Sequence, residues 1–70
     1  MSVRRLTAVV HQEGDLYVAL CPEVGTVSQG PTIETAVCNL KEATELYLEE
    51  FPQEGNGTPV FVTNFEAEVA

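Results

Sequence analysis

The sequence predicts an α+β domain of order β-β-β-α-β, a three- to four-stranded, mainly antiparallel sheet with one long helix packed on one face. Three observations predict it. Two apolar, β-branched runs, "VRRLTAVVHQ" and "LYVALC", flank Glu13-Gly14-Asp15. Apolar side chains recur at three- and four-residue spacing from Ile33 to Phe51, and residues 59–69 alternate with a two-residue period. The chain has 70 residues and a mass of 7.6 kDa, so it is read as one domain over residues 1–70. A domain of this size buries only about 60% of its unfolded surface and usually needs a disulfide, a metal or a partner copy as well.

The elements follow in chain order. Residues 3–12 form the first expected strand, and Gly14 is available for the positive φ of a tight turn. Residues 16–21 complete the hairpin. Pro22 lacks an N–H for a ladder and Gly25 supplies a turn, so the second strand stops there. "TVSQ", residues 26–29, is the third strand. Thr32 is the expected N-cap, with Glu34 near the positive end of the helix dipole and Thr35 where a capping box would have Glu or Gln. Ile33, Ala36, Val37, Leu40, Ala43, Thr44, Tyr47 and Phe51 make one apolar stripe, which should face the sheet. Pro52 ends the helix and "QEGNGT" is a polar loop. Pro59 to Val69 then reads as a fourth strand, with Phe61, Thr63, Phe65, Ala67 and Val69 on one side.

A single helix leaves the other sheet face and the edges bare. Val60, Phe61, Val62 and Phe65 are too apolar to be left in water, so they are the expected oligomer interface, most simply of a two-fold homodimer.

Charge narrows the function classes. Eleven Asp and Glu oppose three Lys and Arg, for a formal net charge of -8. Nucleic-acid binding draws affinity from cations neutralising phosphates, so an acidic chain of this kind is a poor DNA or RNA binder and a natural complement to a basic protein. Nothing reads as a secretory leader or a membrane span, which makes the expected location cytoplasmic. In that compartment Cys21 and Cys38 are expected as small buried hydrophobes, not a disulfide. No close ligand pair suggests a metal, and no cofactor motif is present. His11 stands in a strand with no nucleophile or carboxylate at assured reach, and the helical Glu pairs read as a solvated face. The expectation is a protein that is not an enzyme.

An ordered set runs through Leu6 to Glu13, Tyr17-Val18-Ala19, Cys21-Pro22-Glu23, Ser28-Gln29-Gly30, Thr32, Glu34, Ala36, Asn39-Leu40, Lys41-Glu42-Ala43 and Leu46-Tyr47-Leu48-Glu49-Glu50. In this set the chain resembles the HicB-like antitoxin family. The resemblance covers about Leu6 to Glu50, with Pro31 where the family often has an acid and Thr35 where it often has Glu. The resemblance implies a partial RNase H-like fold and a partner, a small basic HicA-type toxin that cleaves mRNA and whose active surface the antitoxin covers. Many members continue into a DNA-binding segment that has no counterpart in these residues, so direct DNA binding is not expected. A metal-dependent nuclease reading would need carboxylates converging on metal ions, and the first three strands offer only Glu13, Asp15 and Glu23 nearby.

The leading expectation is therefore an antitoxin-like protein whose contacts to a basic toxin come from Glu13, Asp15 and Glu23 at the strand ends and Glu42, Glu45 and Glu49 on the helix. The alternative is a stand-alone oligomeric scaffold or small-ligand-binding domain with the same fold and no toxin.

Overall fold

A computed structural model describes residues 3–52 and 60–70. Three strands, β1 (Val9–Glu13), β2 (Leu16–Cys21) and β3 (Thr26–Gly30), precede one helix, α1 (Ile33–Glu50). The sheet has the order β1-β2-β3 and both pairs are antiparallel. This is the small α+β fold expected. Its register runs Val9↔Leu20 through Glu13↔Leu16 in the first pair, and Tyr17↔Gly30 through Cys21↔Thr26 in the second.

Local chemistry accounts for each boundary. Gly14 takes φ 60, while Asp15 stays at negative φ, so the two-residue loop has the glycine-first pattern of a type II′ hairpin turn. The first strand begins at Val9, six residues later than the sequence suggests. Continuing the register outward would set Thr7 against Pro22, which has no N–H to give. The Glu23 carboxylate accepts the Thr7 N–H in place of a ladder partner, at 3.0 and 3.1 Å.

Thr32 caps α1 as expected: its Oγ1 accepts from the Thr35 N–H at 3.0 Å. Thr35 also shares a hydrogen bond with the Thr32 hydroxyl at 2.8 Å, so the residue that breaks the capping-box pattern still closes the first turn with its hydroxyl. At the other end Phe51 N–H donates to the Tyr47 carbonyl and Pro52 follows, which stops the helix.

The core is small: Ala19 and Cys21 from the sheet against Ala36 and Leu40 from the helix, with Leu6, Val10, Tyr17 and Val24 packed around them. Buried Thr44 extends the helix row, its hydroxyl 2.6 Å from that of Thr26. Asn39 Nδ2 donates to the Gln29 carbonyl at 2.9 Å, a second link between α1 and β3. Gly30 lets the layers meet, because a Cβ there would stand 2.8 Å from the Ala36 nitrogen.

Three further expectations are revised. The helix stripe divides: Ala36, Leu40 and Thr44 are buried, but Ile33, Val37, Tyr47 and Phe51 are exposed, because α1 lies over β3 and β2 and scarcely reaches β1. Cys21 is buried and Cys38 is exposed, and both are free thiols; Cys38 is two residues from Ala36 and points away from the sheet. Residues 60–70 form no strand. They alternate as a strand should, but nothing among the described residues pairs with their backbone, and a strand without a ladder neighbour is not stable in water. Pro59 and the polar loop at 53–58 lie outside the described residues.

Candidate interaction surface

The pleat settles which side chains face away from α1. Val10, Ala19 and Ser28 share one row, and Ala19 is in the core, so Val9, Leu20 and Val27, in the neighbouring row, point to the opposite face. They are 43, 36 and 56% exposed. Leu16 and Val18 lie on the same face, together with His11, Glu13 and Gln29. The result is an apolar row across all three strands over which no helix or strand of the described residues lies. The continuous apolar run "LYVALC" is the signal for it, since a strand covered on one side only would alternate.

The six expected contact carboxylates do not gather in one patch. Glu13 and Asp15 lie at the hairpin end of the sheet, where α1 begins, and both are exposed. Glu13 borders the bare face, with its Oε2 3.5 Å from His11 Nε2. Glu42, Glu45 and Glu49, all exposed, recur at spacings of three and four and so share the side of α1 opposite Ala36, Leu40 and Thr44. Lys41 Nζ lies 3.5 Å from Glu45 Oε2, an exposed pair of small energetic weight.

Glu23 sits at the far end of the sheet, in the β2–β3 turn, and is occupied internally. Besides the Thr7 N–H it accepts the Thr7 hydroxyl at 2.7 Å and faces the Cys21 thiol at 3.6 Å. The Thr7 hydroxyl is the main reason its carboxyl is held below the usual carboxylate value; partial desolvation opposes this, and the backbone N–H groups and the Cys21 thiol reinforce it. Its role is to tie the segment before β1 to the sheet. A bond between residues 16 apart, with no periodicity linking them, has no sequence signal.

Of the expected interface residues, Val60 is half-buried, whereas Phe61 and Phe65 are each 88% exposed and Val62 is also exposed. A shallow depression at the end of α1 is lined by Ala43, Leu46, Tyr47, Glu49, Glu50 and Phe51. Among the described residues no cluster of three or more His, Cys, Asp or Glu is placed to hold a metal ion, and no helix is long and apolar enough to cross a membrane.

A small antiparallel sheet with one helix and one bare face defines a class of minimal two-layer domain. The chain is similar to a Helicobacter pylori protein designated UPF0150, at 46% identity over 44 residues, which is 61% of each protein. The chain thus spans about three-fifths of that relative's length. No protein-family profile matches the chain, and no solved structure does.

Proposed function

We propose that the protein is an antitoxin-like binding protein that neutralises a small basic, HicA-type mRNA-cleaving toxin by covering its active surface. The observation that carries this reading is the apolar row Val9–Leu20–Val27, on a sheet face that no helix or strand of the described residues covers and that carries Glu13 at its hairpin end. A buried apolar centre carries affinity in most protein interfaces, while charges of the opposite sign at the rim speed encounter and select the partner. The formal charge of -8 suits a basic partner. The resemblance over Leu6–Glu50 and the similarity to the UPF0150 protein, a HicB-like, antitoxin-type group, support the same class of function. Glu13 and Asp15 are the rim contacts nearest the bare face; Glu42, Glu45 and Glu49 form a separate acidic side that would engage only a larger partner.

Co-expression with the product of the neighbouring small basic gene tests the reading. A stoichiometric complex with relief of growth arrest is expected, and Leu20→Asp should abolish both. Growth arrest that persists with no complex formed would contradict the reading.

A further inference from the structure

We infer that residues 60–70 add as an outer strand to the sheet of a second copy, antiparallel along β1, so that two chains exchange these segments about a two-fold axis. The single chain is too open. Its accessible surface is 6030 Å², against about 4,300 Å² for a compact protein of this mass. Its radius of gyration is 14.0 Å, against about 11 Å for a compact chain of this length. A stable interface needs about 800 Å² from each partner, and the exposed Phe61, Val62 and Phe65 offer apolar surface toward it.

The location follows from where α1 sits. The helix covers β3 and β2, which leaves Leu6 and Val10 half-buried on the helix side with no layer beyond them. The free edge of β1 therefore has both unpaired backbone and an apolar shelf, and residues 60–70 have the matching alternation.

Charge sets the direction. Arg4 and Arg5 precede β1, Glu66 and Glu68 stand late in the segment, and among the described residues none of the four forms an ion pair. Setting Glu68 opposite Arg5 in antiparallel register sets Phe65 opposite Ala8, Thr63 opposite Val10 and Phe61 opposite Gln12. All three pairs fall on the helix-facing side, since directly opposed residues share a face. That register pairs Glu68 with Arg5, sets Glu66 diagonal to the same arginine, and closes both phenylalanines over Leu6, Val10 and Tyr17.

The direction also selects a second copy over the chain's own β1. The Thr26–Thr44 hydrogen bond shows that α1 runs back toward the Cys21–Thr26 end of the sheet. A return to the same chain's β1 by the usual right-handed crossover would run parallel to it. That would carry Glu66 and Glu68 toward Glu13 and Asp15, like charges, and away from the arginines.

Sedimentation equilibrium of the purified full chain tests this without any toxin, so its failure would leave the proposed toxin binding standing. The expected result is a dimer at micromolar concentration that Phe61→Ser with Phe65→Ser turns into a monomer of unchanged far-ultraviolet circular dichroism. Glu66→Lys with Glu68→Lys should weaken the dimer about tenfold, as should Arg4→Glu with Arg5→Glu, and combining all four should restore it. A monomer at every concentration would overturn the inference. So would a dimer indifferent to the phenylalanine changes, or charge reversals that fail to rescue one another.

Discussion

Residues 16–21 and residues 60–65 are both short, apolar and rich in β-favouring side chains, yet only the first becomes a strand. Composition does not separate them. Neighbours do: β2 has a strand on each side and a helix over one face, whereas residues 60–65 have no ladder partner among the described residues. Strand propensity describes a fit to a pleated, half-buried surface, and the second stretch meets no such surface within one copy. The contrast divides the molecule into a body whose strands are paired and a segment that pairs with none of the described residues.

Substitutions in the two regions should differ accordingly. The largest effect is expected for Leu40→Ala. Leu40 is the one large aliphatic side chain in the four-residue buried cluster, and losing it should cost about 2–5 kcal/mol in chemical denaturation. Against the roughly 5–15 kcal/mol of a typical domain, that is enough to leave the body partly unfolded. Gly30→Ala comes next. The added methyl must displace the Ala36 nitrogen or the Thr35 side chain, at about 1–3 kcal/mol, read as a lower thermal midpoint.

Glu23→Gln should have a smaller effect, on the order of 1 kcal/mol at neutral pH, since its bonds are charge-assisted but partly open to solvent. Its signature is pH dependence. The folded chain holds the Glu23 proton less tightly than the unfolded chain does. The stability it contributes is therefore fully present above the ordinary carboxylate pKa and is lost as pH falls through the lowered folded value. Wild type and variant should converge in denaturation midpoint at acid pH; a gap that persists there would mean that the carboxylate's charge is not what ties down Thr7. The smallest effect is expected for Phe65→Ser, whose side chain touches little within the chain. At concentrations that favour single chains, its unfolding free energy should match wild type within about 0.5 kcal/mol.

Much of the body was legible in the sequence because local rules and tertiary demands agree there. The bounds of β2 follow from the turn before it and Pro22 after it. The cap at Thr32 follows from a hydroxyl placed just before an apolar period, and the helix stop from Pro52. What the sequence hid depends on distance or on layer count. The late start of β1 comes from Pro22 lying across from Thr7, and the engagement of Glu23 comes from the same crossing. Periodicity could name the helix stripe but not its width, which is set by how far α1 sits toward β3; Ile33, Val37, Tyr47 and Phe51 overhang as a result. The alternation in residues 59–69 was legible as a strand, but the sequence could not say whether its partner belongs to the same molecule. The acidic candidates were visible one by one, and only the fold shows that Glu13 and Asp15, Glu23, and the helical Glu42, Glu45 and Glu49 occupy three separate places.

Hydrogen–deuterium exchange on the full chain, measured across a concentration series, addresses the division most directly. The amides of residues 60–70 and of β1 should gain protection together as concentration rises, while those of β2 and the middle of α1 are protected throughout. Amides at 60–70 that exchange freely at every concentration, or that are protected even in the most dilute sample, would contradict it.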